Sequence, residues 1–120
     1  MALRQEVKER KGGGGKSPPP GGAGLMTVKF SLGQLVATRG IIAEMTESPA
    51  FAVYCFECLS RHSSGDWGDM DTEDKAENEF AMKQGNLRLF SSYEQPGLPK
   101  IWIITEADRS STCTLFPEEY

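Results

Sequence analysis

The chain carries one histidine, His62, so any imidazole acid–base chemistry near neutral pH must run through it. It falls at the end of a helical pattern, beside the loop Ser63-Ser64-Gly65-Asp66-Trp67-Gly68, and loops of this kind often present functional groups. A histidine base needs an acid and cationic partners for a phosphate. The stretch Thr105-Glu106-Ala107-Asp108-Arg109-Ser110 supplies both, and Arg88 is a further cation. His62, Glu106, Arg88 and Arg109 gathered on one sheet rim would make a metal-independent ribonuclease site of base, acid and guanidinium clamps. The competing account makes His62 a helix-terminal residue favoured by the helix dipole and bonded to a backbone carbonyl.

Other residues have types suited to binding. Asp66 and Trp67 sit between two glycines, which could offer the indole as a stacking platform or partner anchor, or make it a plug at the edge of a small core. Asn78, within Glu77-Asn78-Glu79, lies mid-helix, where asparagine is mildly unfavourable unless its amide bonds something outside the helix; the loop around Asp66 is the candidate partner. The flanking glutamates can instead pair with Lys75 or Lys83. Thr105 would line the sheet face or its rim together with Arg88, Glu106, Arg109 and Thr112, while Asp108 could pair with Arg109 and Ser110 could cap or turn the loop.

Metal chemistry is a weaker fit. Cys55, Cys58 and His62 stand at i, i+3 and i+7, with Cys113 as a fourth donor, but zinc knuckles hold their CxxC on a turn rather than on a continuous helix. Small cysteines on an apolar helix face are ordinary core residues. The acidic run Asp66, Asp69, Asp71, Glu73, Asp74 lacks the spacing of a calcium loop and suits a solvated helix start. Neither metal nor cofactor is expected.

The elements that must position these groups follow from the pattern. Residues 30–38 (FSLGQLVAT) read as a strand or an irregular lead-in, and 41–47 as a short helix. Ser48-Pro49 is a helix start, with serine as cap and proline in the first turn. The helix over 49–62 places Phe51, Tyr54, Cys55, Cys58, Leu59 and His62 on one face. Asp71 or Thr72 caps a third helix that ends at Gly85-Asn86, with Ala76 and Phe80 on its apolar side. The period then changes to two: 87–93, 100–105 and 111–116 read as consecutive strands joined by short turns. The fold class is therefore α+β, with two or three N-terminal helices packed on a C-terminal three- to four-stranded antiparallel meander. Phe51, Tyr54, Leu59, Phe80, Leu87, Leu89, Ile101, Ile103, Leu115 and Phe116 are the expected core.

Residues 1–25 contain GGGGKSPPPGGAG and cannot bury enough apolar area to offset ordering; they are expected to form a disordered tail, and 26–120 a single domain. Met26, where folded composition begins, is a candidate translational start. The chain has 120 residues and a formal net charge of −4, and the tail holds five of its basic residues, so the body is more acidic than the total. An acidic body repels phosphate backbones, which disfavours nucleic acid as a partner and favours another protein. No apolar run reaches bilayer length, no secretory signal leads the chain and the cysteine count is odd, so the expected address is the cytoplasm.

Four segments together carry a family likeness: His62-Ser-Ser-Gly-Asp-Trp-Gly-Asp69, Glu77-Asn78-Glu79, Ile103-Ile-Thr-Glu-Ala-Asp-Arg-Ser110 and Leu115-Phe-Pro-Glu-Glu-Tyr120. Over roughly residues 30–120 the chain resembles small bacterial proteins found on plasmids and integrated elements, labelled plasmid-related proteins or type I restriction modification-subunit-like proteins. The restriction label implies a methyl-donor fold, with a glycine-rich loop after a strand and an Asn-Pro-Pro-aromatic motif; this chain has neither. The resemblance implies a small mobile-element accessory protein that works by binding another macromolecule. The alternative is the ribonuclease, since bacterial toxin nucleases also pack helices on an antiparallel sheet.

Overall fold

The computed structural model describes residues 28–120 and the backbone of a two-residue strand, Ala2–Leu3 (β1). The tail expected over 1–25 and the Met26 start otherwise lie outside the described residues.

Strand β2 (Gln34–Thr38) runs directly into helix α1 (Arg39–Glu47), because the Thr38 hydroxyl accepts the Ile41 amide and caps the helix. Ser48 serves two helices. Its amide closes α1 on the Glu44 carbonyl, and its hydroxyl accepts the Phe51 amide to start α2 (Pro49–Ser63), with Pro49 in the first turn. Helix α3 (Thr72–Gln84) is capped by Asp71 and stopped by Gly85 at φ +80°, as its sequence predicts. Strands β3 (Leu89–Gln95), β4 (Leu98–Thr105) and β5 (Ser111–Leu115) follow, then a 3₁₀ turn at Pro117–Glu119.

The sheet is mixed. Its order is β2-β5-β4-β3, with β1 paired antiparallel on the outer side of β2. β3, β4 and β5 form the expected antiparallel meander, but β2 joins β5 in parallel, with Leu35 opposite Thr112 and Ala37 opposite Thr114. This corrects the expectation of N-terminal helices on a purely antiparallel sheet. The open edge of β5 needs a hydrogen-bonding partner, and a parallel partner requires a long crossover; the three helices and the hairpins supply it.

The period of two divides the sheet residues between two faces. Ala37, Thr112, Thr114, Ile101, Ile103, Thr105, Leu89, Ser91 and Tyr93 are buried in register on the helix side. There Phe51, Tyr54, Cys55 and Cys58 of α2 and Ile41 of α1 pack on Tyr93, Ile101 and Ile103, while Leu59 and Phe116 pack at the margin. A second cluster joins Trp67, Ala81 and Leu89 with Phe30, Met70 and Met82. Two expected core residues are not there: Phe80 is 57% exposed and Leu87 42%. α3 lies against the edge of the sheet rather than over it, so its buried positions are the compact Asn78 and Ala81 and the larger side chains turn outward.

That edge is closed by side chains. Asn78 donates to the Phe90 carbonyl at 2.7 Å and accepts the Phe90 amide at 3.1 Å, so its amide replaces one residue of a neighbouring strand. Further along, Gly68 bridges Ser92, and the Asp69 carboxylate accepts the Glu94 amide at 2.8 Å. Gly68 has φ +78°, and a Cβ there would strike the Ser92 carbonyl and the Tyr93 ring, so only glycine permits this approach. A sheet edge with its polar groups satisfied is a poor template for aggregation. Replacing Asn78 by alanine should destabilise the fold by about 2 kcal/mol, because two bonds are lost and the Phe90 amide is left without its partner. Urea unfolding with an unchanged midpoint, and unchanged hydrogen exchange at the Phe90 amide, would show that Asn78 is not what closes this edge.

Candidate functional site

His62 lies in the core, with 0% of its surface exposed. It follows Phe51, Tyr54, Cys55 and Cys58 along the buried stripe of α2, which carries it under the middle of the sheet. Nδ1 meets the Ser91 hydroxyl and Nε2 the Thr105 hydroxyl at 2.9 Å; Thr105 meets Thr112 at 2.7 Å, and Thr112 donates to the Leu32 carbonyl at 2.8 Å. The carbonyl end sets the direction of the whole line. A carbonyl only accepts, so the single Thr112 hydroxyl proton is spent there, and Thr112 must accept from Thr105. Thr105 must then accept from Nε2–H, and Nδ1 is left to accept from Ser91. The imidazole is neutral and protonated on Nε2. Burial, and then the positive charge of Arg109, push its pKa down to about 3. The rings of Phe30 and Trp67 stand edge-on to it at 5.4 and 5.7 Å between centroids.

This arrangement does not assemble the ribonuclease site. His62 and Thr105 are on the helix side of the sheet, while Arg88 and Glu106 lie by the opposite face and pair at 3.7 Å. Arg109 is near enough for its charge to act on His62, but its guanidinium is engaged by backbone carbonyls. At φ +60° its guanidinium donates to the carbonyls of Leu87, Glu106 and Ala107, and to that of Ala81 near the end of α3, and it lies over the Phe30 ring. It fastens the β4–β5 loop to a helix C-terminus, where a cation is favoured.

The expected binding residues are engaged in holding loops. Asp66 pairs with Arg61 at 2.7 Å, which holds its carboxyl below the usual carboxylate range, and its carbonyl accepts the Tyr93 hydroxyl. Trp67 is a core plug: it is buried, stacks on Phe30, and donates Nε1–H to Glu79 at 2.9 Å. Asn78 bonds the Phe90 backbone rather than the loop around Asp66. Asp108 accepts the Ser110 amide rather than pairing with Arg109, and the Ser110 carbonyl receives the Gln34 amide. Cys55 and Cys58 have their thiols pushed up to about 12 and 11 by burial, which makes them poor nucleophiles. Among the described residues no group of three His, Cys, Asp or Glu is placed to hold a metal ion.

The other face of the sheet carries no helix of the described residues, although Ile104 and Leu115 on it are buried and Phe90 and Trp102 half-buried. The residues between the helix-facing ones are Phe90, Trp102, Ile104, Cys113 and Leu115, with Val36 on β2. Three rings form a row across it, each pair edge to face: Phe90 to Trp102 at 4.8 Å and Trp102 to Tyr120 at 5.7 Å. Arg88 reaches the Tyr120 hydroxyl at 3.3 Å, and with Glu106, Ile104, Cys113 and Leu115 it lines a shallow groove of about 440 Å³. Glu119 anchors this end of the chain. It accepts the Thr38 hydroxyl and the Gly40 and Phe116 amides, and although burial alone would raise its carboxyl, these bonds hold it below the usual range. The acid thereby complements the start of α1, whose own first turn has none. Sequence reasoning passed over Phe90 and Tyr120. The signal was the run Ile101-Trp102-Ile103-Ile104, apolar at consecutive positions and hence apolar on both faces.

Comparison of the chain with protein-family models, curated proteins and solved structures returns no match.

The buried imidazole sets a pH dependence whose sign follows from linkage. Unfolded His62 takes a proton below about pH 6.5, whereas folded His62 stays neutral to about pH 3, so the unfolded chain binds more protons in between. Stability should fall as pH drops from 6.5 toward 4.5, by up to about 1.4 kcal/mol per pH unit. His62→Gln, whose amide can accept from Ser91 and donate to Thr105, should flatten that slope. Equal slopes in the two proteins by urea unfolding would contradict the assignment.

Proposed function

We propose that this chain is a non-catalytic binding protein that docks another protein on the helix-free face of its sheet. It fits a cytosolic accessory role of the kind that the resemblance to plasmid-borne proteins implies. The supporting observation is the row Phe90–Trp102–Tyr120 on a face that no helix of the described residues covers. Large aromatic side chains beside an arginine are the usual composition of binding hot spots. Tyr120, 69% exposed, is already held by Arg88 at its hydroxyl and by the Trp102 ring at its edge, so little side-chain freedom would be lost on docking.

The charge of the surface favours protein over nucleic acid. Residues 26–120 hold eight of the thirteen Lys and Arg residues and fifteen of the seventeen Asp and Glu residues. At the aromatic row Arg88 is already paired with Glu106. A single-strand binder would need a basic groove tracking the backbone beside its stacking rings. Ribonuclease action is disfavoured by the same geometry that buries His62, since a general base must reach the proton it removes.

Pull-down from a native host with the full chain, followed by calorimetry, tests the proposal. Trp102→Ala and Tyr120→Ala should each weaken the partner at least tenfold, and Phe80→Ala on α3 should leave its affinity unchanged. Equal affinity across all three, or loss only in the α3 variant, would remove the sheet face from the role. Growth arrest with RNA cleavage on induction of the wild type, absent in the His62→Gln variant, would restore the enzyme reading.

A further inference from the structure

A half-open pocket of about 150 Å³ lies on the helix side, between α1, α2 and the parallel pair β2 and β5. Its walls are apolar: Leu35, Ile42, Met45, Phe56 and Leu59. Its floor is built of small side chains, Ala37, Cys55, Thr112 and Thr114. The pocket exists because these four meet at one place. β2 and β5 stand in register there, with Leu35 opposite Thr112 and Ala37 opposite Thr114, and Cys55 faces them from α2.

The Thr112 hydroxyl is engaged twice, accepting from Thr105 and donating to Leu32. Thr114 lines the same pocket with 8% of its surface exposed, and among the described residues its hydroxyl is not one of the buried atoms that lack a partner. A hydroxyl so placed, with both donor and acceptor capacity, is suited to the polar end of a guest. Phe56, 58% exposed, and the flexible Met45 stand among the wall residues, and methionine adapts readily to an occupant.

We infer that this pocket is a binding site for a small, largely apolar molecule bearing one hydrogen-bonding group, of about the size of phenol. The pocket has about the volume that a benzene-sized guest needs, and its walls are apolar. A guest here would exchange water for aliphatic contact with the walls, while its hydroxyl meets Thr114. The site lies on the opposite side of the sheet from the aromatic row, so occupancy and partner docking are separate properties, and the failure of one leaves the other standing.

Phenol and toluene serve as probes of the full chain by methyl-resolved NMR titration. Both should give saturable shifts at the methyl groups of Leu35, Ile42, Met45 and Leu59. Thr114→Val should weaken phenol about two- to tenfold, the range of one net hydrogen bond, and leave toluene unchanged. Cys55→Leu, which fills the floor, should abolish both sets of shifts. The inference is overturned if neither probe saturates, if the shifts gather around Trp102 instead, or if phenol binds wild type and Thr114→Val alike. Because Thr114→Val is nearly isosteric, it reads out even if Cys55→Leu fails to fold.

Discussion

The line of hydrogen bonds from Ser91 through His62, Thr105 and Thr112 to the Leu32 carbonyl organises this molecule. It crosses β3, β4 and β5 beneath α2 and ends on the segment that leads into β2. Each member has its partner, which is the condition on which a buried polar network is tolerated. A shift of register between two of these strands would leave a hydroxyl or an imidazole nitrogen without a partner in an apolar interior. The line therefore fixes which threonine faces which, and where α2 sits along the sheet. Apolar packing supplies most of the cohesion, but it is non-directional and would tolerate several alignments.

The rest of the chain secures the margins of that frame. Arg109 binds the carbonyls of the β4–β5 loop to the end of α3, Asn78 and the Gly68 approach close the β3 edge, and Glu119 ties the 3₁₀ turn to the start of α1. The polar residues of greatest chemical promise are largely consumed in this way. What stays uncommitted is aromatic and aliphatic: the row on the open face, and the pocket walls on the other.

Helix boundaries were legible because each carries a local chemical mark. Ser48 with Pro49, Asp71 and Gly85 act through hydrogen bonds to their own neighbours, whatever the tertiary structure. The three consecutive strands were legible from their alternation. The parallel place of β2 was not, since pairing Val36 with Cys113 is a long-range choice that no short window encodes. Phe80 misled because a helix lying at a sheet edge presents a narrow face, and there Asn78 and Ala81 fit where a phenyl ring does not. His62 was legible in one respect and misread in another. Its place on the stripe with Phe51 and Cys58 already put it in the core, whereas a general base must face solvent. The aromatic row was hidden by the habit of giving a strand only one apolar face.

The parallel union of β2 and β5 also bears on how the chain can be made. Synthesis delivers β2, then all three helices, and only much later the strand that β2 must lie against. Until residues 111–115 leave the ribosome, the buried stripe of α2 has no completed floor, and the carbonyl of Leu32 waits for a threonine eighty positions downstream. Local helices close early and this seam closes last, so the nascent chain spends most of its elongation with its apolar side uncovered. Folding of this domain therefore waits for β5, and a holding chaperone that shields α2 during translation would act on a surface that the folded domain does not show.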